Sequence, residues 1–276
     1  WLDEEIGNNA IINETESASK LEDYQKEEDL FQMLSFDTIS AFGANGAIVH
    51  YSPKKETAAR ITTEGLYLLD AGAQYLDCTT DITRTHTFGT PTDEQKLAYT
   101  LVLQGSTDLA DAVFPTGTYG RNIDILARRS LYKNFMDYGH GTGHGIGHFL
   151  SVHEGPAGIS MGYSARDVPL TDGMVFSDEP GFYLPEKFGI RLETDVIVKS
   201  INTTYSFGDT KFFHFDILTL VPFESKLIIC EMLTEPQRKW INEYHAQIES
   251  TLAPILKSKD ERALTYLLEK TRPINC

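Results

Sequence analysis

Residues 140–156 read HGTGHGIGHFLSVHEGP and place four histidines beside glycines at every second position from 141 to 147. Glycine in a helix interior costs about 1 kcal/mol relative to alanine, so this run excludes a stable helix. The segment must therefore form a strand or a loop, whose bare backbone can approach a neighbouring element closely. The imidazoles of His140, His144, His148 and His153 are then free to surround a ligand.

Two strand-like hairpins flank this segment, and each carries acids where apolar side chains are expected. Residues 66–89 contain Asp70 after the apolar run LYLL and Asp81 in TTDITRT, and residues 174–199 contain Glu179 and Glu193. A single acid in a hairpin usually favours a turn. Four carboxylates buried together would instead repel one another and raise their own pKa values.

Two divalent cations would neutralise four such carboxylates, and one imidazole would complete an oxygen-rich set of ligands. Carboxylate-rich sites of this kind suit manganese, and cobalt or zinc can also occupy them. The sequence therefore predicts two divalent metal ions as the cofactor, with Mn²⁺ as the first choice and Co²⁺ or Zn²⁺ as alternatives.

The charge balance narrows the classes of partner. The chain of 276 residues has a net charge of −16 and a sequence pI near 4.9, which argues against nucleic acid because such proteins need a basic surface. No apolar run approaches the ~18 residues of a membrane span. The hydrophobic fraction of 41% is ordinary for a globular protein with a buried core.

Sequence motifs of several other enzyme classes are absent. The glycines at 141, 143, 145 and 147 do not fit G-x-G-x-x-G at any offset, and no Lys-Ser/Thr follows them, so a phosphate-binding loop is not predicted. The chain contains neither H-E-x-x-H nor the G-x-S-x-G of a serine hydrolase.

Local patterns predict the remaining elements. Helices are predicted from the cap at Thr92 to Val113 and over residues 121–133, and capping boxes at Thr234 with Gln237 and at Ser258 with Glu261 predict a helical tail. We expect a polar loop over 7–19, an exposed helix over 20–33 and a short strand over 46–51.

The cysteines indicate a reducing compartment. Cys78, Cys230 and Cys276 lie far apart, form no CxxC pair and are odd in number, so a disulfide framework is not expected. The acidic start WLDEEIGNN lacks the apolar region of a signal peptide.

With these acids and histidines, the chain resembles the catalytic domain of the Xaa-Pro aminopeptidase (aminopeptidase P) family, in its large eukaryotic cytosolic form. The resemblance extends from about residue 30 to the end and rests on NGAIVHYSP, LLDAGAQYLDCTTDITRT, FGTPT, VFPTG, HGTGHGIG with FLSVHEGPAGIS, DEPGFY, FGIRLE and LTLVPFESK. Any one of these stretches, such as DEPG, would be weak, but together they are highly specific.

The resemblance implies an α+β pita-bread (creatinase/aminopeptidase) fold, with two pseudo-twofold αβ halves around a curved antiparallel sheet and a helical C-terminal tail. We expect residues 1–232 to form the catalytic domain and residues 233–276 to form a helical extension packed on it. The upstream domains of the large form are expected to be missing from this chain.

The resemblance also implies the site residues. The expected metal ligands are Asp70, Asp81, His144, Glu179 and Glu193. The expected catalytic residues are His50, His153 and Glu179, and the substrate-binding residues are His50, His140, His153 and Arg191. Family members carry a small residue in place of His148, which is therefore expected to be a neighbour of the site rather than a ligand.

The implied activity is hydrolysis of the bond between an N-terminal residue and a following proline, by a hydroxide that bridges two metal ions. The expected partners are short peptides with proline at the second position and a second copy of the chain in a homodimer, in the cytoplasm. The alternatives are a prolidase that acts on Xaa-Pro dipeptides and a catalytically inactive homologue that binds peptide.

Overall fold

The structure of the protein is a computed structural model that describes residues 1–205 and 207–276. Its elements follow in chain order as α1 (Leu2–Gly7), β1 (Ile12–Asn13), α2 (Glu14–Glu27), β2 (Phe31–Leu34), β3 (Ile39–Phe42), β4 (Arg60–Ile61), β5 (Leu66–Ala71), β6 (Ala73–Tyr75), β7 (Cys78–Thr79), β8 (Ile82–Thr87), α3 (Asp93–Ala110), β9 (Phe114–Pro115), α4 (Gly120–Tyr132), β10 (Gly143–His144), β11 (Gly158–Ile159), β12 (Val175–Asp178), β13 (Gly181–Leu184), β14 (Phe188–Arg191), β15 (Thr194–Ile201), β16 (Phe212–Ile217), α5 (Glu235–Lys259) and α6 (Glu261–Lys270). Short 3₁₀ helices lie at Gly43–Ala47, Ser225–Leu227 and Cys230–Met232.

The first half of the chain is built around the antiparallel sheet β3-β5-β8. Its register places Asp70 of β5 opposite Thr83 of β8, so the predicted hairpin over 66–89 is confirmed. Smaller antiparallel sheets, β2-β6-β7 and β1-β4, flank it. Asp81 directly precedes β8, and it therefore lies near Asp70 at the end of the sheet.

The second half of the chain is likewise built around an antiparallel sheet, β12-β15-β16-β9. The predicted second hairpin over 174–199 is present as two nested pairs, since β12 pairs with β15 while β13 pairs with β14 between them. Glu179 and Glu193 lie at the two points where the outer pair passes into the inner pair.

Hydrogen bonds across the middle of the molecule join the two halves. Glu193 N donates to the Thr83 carbonyl oxygen at 3.0 Å. Thr85 Oγ1 donates to the Arg191 carbonyl oxygen at 3.1 Å, and Arg191 N donates to Thr85 Oγ1 at 3.2 Å. These contacts bring the acids of the first hairpin against those of the second, although 98 to 123 residues separate them along the chain.

The helices cover the sheets and complete two apolar cores. Both predicted helices are present, although α3 ends at Ala110 rather than Val113, and they pack against each other. In α3 the Thr92 side chain accepts from Gln95 N at 3.2 Å. Buried residues of α5, including Ile241, Tyr244 and Ile248, join the larger core, so the helical tail packs on the rest of the fold. The arrangement of helices and antiparallel sheets confirms the predicted α+β class.

Three local predictions were wrong. Residues 14–19 are helical rather than loop, because α2 starts at Glu14 and extends only to Glu27 of the predicted 20–33 helix. Residues 46–51 form a 3₁₀ turn and an irregular segment instead of a strand. The box at Ser258 with Glu261 is absent because α5 continues to Lys259, and Asp260 caps α6 by accepting from Arg262 N and Ala263 N.

The cysteine prediction also needs correction. Cys230 and Cys276 form a disulfide, because the segment after α6 returns beside the 3₁₀ helix that contains Cys230, and Cys78 is free and exposed. Two hydrogen bonds between Asn242 and the backbone of Ile274 hold the same segment against α5. Among the described residues, no helix combines the length and apolar character needed to cross a bilayer.

Candidate metal centre

A cavity of about 410 Å³ opens where the two halves meet. All nine residues predicted to form the site line it, namely His50, Asp70, Asp81, His140, His144, His153, Glu179, Arg191 and Glu193. The cavity lining is partly apolar and includes Phe36, Ile39 and Val49. The cavity therefore combines charged groups with apolar surface suited to an apolar side chain or ring.

Three of the predicted ligands converge closely. One donor atom from each of Asp81, His144 and Glu193 lies within 4.8 Å of the others. Asp81 and Glu193 are 4% and 2% exposed, so their charges are almost fully removed from water. Such buried charge is costly unless a cation or hydrogen-bond donors compensate it. The Thr83 hydroxyl supplies one donor, to Glu193 Oε2 at 2.7 Å.

His144 is held by the glycine-rich backbone that made the segment conspicuous. A side chain at Gly143 would collide with the carbonyl oxygen of Ser177, so glycine is needed for β10 to lie against β12. His144 N donates to Ser177 Oγ at 3.0 Å. Its Nδ1 lies 3.0 Å from the carbonyl oxygen of Gly145, an arrangement that assigns the proton to Nδ1.

The other nitrogen of His144 therefore faces the acids. His144 Nε2 lies 3.4 Å from Asp81 Oδ2 and 3.4 Å from Glu179 Oε1. A metal-binding histidine commonly donates its second ring N–H to a backbone carbonyl, which fixes the tautomer and directs the free nitrogen to the metal. The geometry of His144 has this form.

The pKa values of Glu193, Glu179 and His144 are all raised, which shows that the cluster favours bound positive charge. Burial, together with the neighbouring charge of Asp81, raises the pKa of Glu193 well above its ordinary value. Burial also raises the pKa of Glu179 to about 7, although the charges of His144 and Arg191 oppose the increase. Burial lowers the pKa of His144, but its hydrogen bond to Asp81 and the charge of Glu179 outweigh this and raise it to about 9.

The residues present fit a pair of divalent cations. Asp70 is 7% exposed, and its Oδ1 is buried without a hydrogen-bond partner in the described chain, which leaves a free acceptor at the acid cluster. Burial raises the pKa of Asp70 despite the charge of Arg191. Four carboxylates and one imidazole nitrogen are donors that a pair of divalent ions would accept.

Arg191 and Tyr183 form a chain of hydrogen bonds behind Asp70. Arg191 Nη2 donates to Asp70 Oδ2 at 2.6 Å, and its Nη1 donates to the Tyr183 hydroxyl at 2.8 Å. His140 Nδ1 lies 2.8 Å from the Gly141 carbonyl oxygen, so its Nε2 accepts from Tyr183 at 2.8 Å. His140 is thus a neutral imidazole, in agreement with the burial that lowers its pKa to about 4.

Sequence reasoning missed Tyr183, which lies in a strand with no charge to mark it. It also missed Arg84 of the motif DITRT. The Arg84 guanidinium is 3% exposed and donates to the backbone carbonyls of Glu193 and Val221 and to the Tyr244 hydroxyl. The available signal in the sequence was the place of Arg84 inside a strand-like run, just after Asp81 and Thr83. A strand interior rarely admits a charge without a partner.

The remaining histidines are more accessible. The rings of His153 and His144 meet edge to face with their centroids 4.3 Å apart, and burial followed by the charge of His144 lowers the pKa of His153. His50 is exposed at the cavity and lies in the irregular segment after β3. His148 is exposed on a separate cavity, as expected of a neighbour to the site.

Known proteins are similar to this chain over nearly all of its length. The profile of metallopeptidase family M24 matches residues 4–200, and that of the C-terminal region of peptidase M24 matches residues 211–274. A probable Xaa-Pro aminopeptidase P of Laccaria bicolor is 48% identical over 99% of this chain and 42% of its own length. One from Arthroderma otae is 49% identical over 99% of this chain and 44% of its own length.

Solved structures give the same result. A cytosolic X-prolyl aminopeptidase with a di-nuclear active site, from Caenorhabditis elegans, matches with a TM-score of 0.94 and 38% identity, covering 99% of this chain and 44% of that one. A prolidase from Pyrococcus furiosus matches with a TM-score of 0.61 and 32% identity, covering 68% of this chain and 53% of that one.

The TM-score of 0.94, together with the paired antiparallel sheets and helical tail, confirms the predicted pita-bread fold. The chain spans less than half the length of the Xaa-Pro aminopeptidases that it matches. The M24 profiles and the relatives at 48–49% identity cover nearly all of its residues. The chain belongs to metallopeptidase family M24.

Proposed function

We propose that this chain carries the active site of a dinuclear-metal aminopeptidase that hydrolyses the bond between an N-terminal residue and a following proline. The observation that carries the proposal is the convergence of Asp81, His144 and Glu193 within 4.8 Å, in one cavity with the other predicted site residues. The similarity to Xaa-Pro aminopeptidases over 99% of the chain supports the choice of substrate.

In this proposal the five ligands hold two divalent ions. Asp81, Glu193, Asp70, His144 and Glu179 would together hold the two ions, with their carboxylates balancing the positive charge. Manganese suits the carboxylate-rich donor set, and cobalt or zinc remain alternatives. When bound, the ions supply Lewis-acid polarisation of the scissile carbonyl and a water acidic enough to be a nucleophile at neutral pH.

The protein's own residues then manage protons and charge. Glu179, which lines the cavity beside His144, accepts the proton of the attacking water. His153 stands against His144 at the cavity and donates a proton to the departing proline nitrogen, which cannot leave as an anion. His50, which also lines the cavity, binds the carbonyl oxygen as negative charge develops on it.

A proline-directed peptidase cannot recognise the N–H of the bond that it cleaves, because a tertiary amide has none. The site has a different means of recognition, since the apolar wall with Phe36, Ile39 and Val49 can receive the pyrrolidine ring. We assign His140 and Arg191 to the substrate side as well. Their nitrogen atoms already bond Tyr183 and Asp70, so they contribute mainly by fixing the position of Asp70 at the cavity.

The prolidase alternative is retained because prolidases share the fold at a TM-score of 0.61. The aminopeptidase is favoured because its match extends over 99% rather than 68% of the chain and includes the C-terminal helices. We further propose short peptides with proline second as substrates, a homodimer as the assembly and the cytoplasm as the location. Residues 1–232 are proposed as the catalytic domain, with 233–276 as its helical extension.

The decisive experiment measures metal content and hydrolysis of Xaa-Pro-Pro and Xaa-Pro peptides by the purified chain. We expect Mn²⁺-dependent cleavage of the tripeptide, and preferential cleavage of the dipeptide would instead identify a prolidase. Asp81→Asn and Glu193→Gln should abolish turnover, because a neutral amide cannot replace a carboxylate that would hold the cations. Asp77→Asn, which alters an exposed acid near Asp81, is the matched control. Wild-type rates in either ligand variant would refute the assignment.

A further inference from the structure

Glu14 is a fully buried acid in a segment whose sequence is otherwise polar. Its side chain is 0% exposed, although the segment around it reads INETES. Every hydrogen-bond donor to its carboxylate in the described chain is neutral. Because an ionised carboxylate is costly to bury without a cation, this group is tolerated only through several well-placed donors.

The donors come from both ends and from the middle of one segment, residues 42–59. Phe42 N donates to Oε1 at 2.6 Å and Ala59 N donates to Oε2 at 2.8 Å. Between them, Asn45 Nδ2 donates to both oxygens at 3.0 and 3.2 Å, and the Tyr51 hydroxyl donates to Oε2 at 2.8 Å. The backbone adds a further bond, from Glu14 N to the Ala59 carbonyl oxygen at 3.1 Å.

This segment forms part of the wall of the cavity that holds the predicted metal ligands. Four consecutive residues, Val49, His50, Tyr51 and Ser52, line it. The 3₁₀ helix at Gly43–Ala47 packs on β14, but residues 48–59 belong to no strand, so sheet pairing does not hold this part of the segment. Burial and then the hydrogen bond to Glu14 raise the pKa of Tyr51 to about 12, and its hydroxyl thus remains a donor.

We propose that Glu14 is a positioning residue that holds His50 and the adjoining cavity wall in place for the substrate, through Tyr51 and the two ends of segment 42–59. The role in turnover rests on the proposed function, whereas the structural role does not. Glu14 touches no reacting group, and it acts only by fixing where His50 lies relative to the acids.

Glu14→Gln tests the charge while preserving the size of the side chain. Glutamine offers one acceptor oxygen and one amide nitrogen, and either orientation directs amide hydrogens at the Phe42 or Ala59 N–H. At least one of these donors then loses its acceptor, which loosens that end of the segment. Tyr51→Phe is a milder companion, because it removes one hydroxyl and keeps the ring in the wall.

The structural role is tested by hydrogen exchange of the metal-loaded protein. In Glu14→Gln the amides of Phe42 and Ala59 should exchange about tenfold or more faster than in the wild type, since their acceptor is weakened. Glu16→Gln is the matched control, because Glu16 caps the same helix at the exposed surface. Exchange in Glu14→Gln equal to that in the wild type would overturn the proposal, whether or not the chain is active.

The role in turnover is tested with a double-mutant cycle. Glu14→Gln should lower kcat/KM for a Xaa-Pro-Pro peptide by about 10–100-fold at unchanged metal content, because misplaced groups of this kind cost about that much. Tyr51→Phe should give a smaller loss in the same direction. In a His50→Ala background the loss caused by Glu14→Gln should shrink to less than about threefold, since its effect passes through His50.

An equal loss in both backgrounds, or loss of metal, would show a general structural role and overturn the positioning role. An unchanged kcat/KM despite faster amide exchange would also overturn the positioning role. Failure of the wild type to cleave Xaa-Pro peptides when loaded with metal would refute the proposed function instead. The exchange comparison would then still decide whether Glu14 holds the segment.

Discussion

Replacing Tyr244 with phenylalanine tests whether the C-terminal helices stabilise the backbone that carries Glu193. The Tyr244 hydroxyl accepts from Arg84 Nη2 at 2.9 Å and donates to the Val221 carbonyl oxygen at 2.8 Å. Arg84 in turn donates to the backbone carbonyl of Glu193, so one buried hydroxyl connects α5 to this acid. Tyr244 is 3% exposed, and water cannot replace the lost partner without entering the core.

The expected cost follows from these contacts. A hydrogen bond from a charged donor contributes about 1.5–3 kcal/mol net, and a neutral one about 0.5–1.5 kcal/mol. Arg84 Nη2 keeps the Val221 carbonyl oxygen at 2.8 Å, so only part of the charged contribution is lost. We therefore expect the free energy of unfolding to fall by about 2 kcal/mol. For a chain of this size that decrease lowers the melting temperature by roughly 5 °C.

The assay is thermal and urea denaturation of the wild type, Tyr244→Phe and Tyr163→Phe. Tyr163 is 79% exposed, and its variant makes the same chemical change at the surface, so it should melt with the wild type. A melting temperature for Tyr244→Phe within about 1 °C of the wild type would refute the inference that this hydroxyl and Arg84 stabilise the fold.

Three further measurements address the catalytic, titratable and cysteine groups. His153→Ala should lower turnover by about 10²–10⁴-fold with metal retained, and a parallel loss of metal would identify it as a ligand instead. Burial lowers the pKa of His245 from 6.5 to about 4, so neutral His245 stabilises the fold above pH 6.5. That contribution, on the order of 3 kcal/mol, disappears as the pH falls from 6.5 to 4, and urea denaturation of His245→Gln should show a smaller decrease over this window. Thiol titration should detect Cys78 alone in the unfolded, unreduced chain and three thiols after reduction, whereas three before reduction would contradict the Cys230–Cys276 pairing.

Much of the fold could be predicted because it depends on residues close together in the sequence. The cap at Thr92 and the box at Thr234 with Gln237 follow from positions three residues apart, and both are present. The two acid-bearing hairpins follow from alternating apolar runs, and their pairing is also observed. The glycines at 141–147 excluded a helix, and β10 with its adjoining loop is what forms there.

The wrong predictions share a cause that lies outside the local pattern. Residues 46–51 have the composition of a strand, but Tyr51 and Asn45 bond the buried Glu14, and these contacts replace sheet pairing. The start of α2 at Glu14 was missed for the same reason, since a polar segment gave no sign that one of its acids is buried. Cys230 and Cys276 were expected to remain apart, because a separation of 46 residues says nothing about where the tail returns.

The sequence alone determined which residues could bind metal, since the number and spacing of the acids and histidines set the charge to be compensated. Only the tertiary structure decided which donor atoms converge, because Asp81, His144 and Glu193 are separated by 49 to 112 residues along the chain. It also decided that Arg191, Tyr183 and His140 connect to Asp70, and that the buried Glu14 accepts a hydrogen bond from Tyr51 of the cavity lining. Hydrogen bonds of this kind depend on side-chain directions fixed by packing, which no local pattern records.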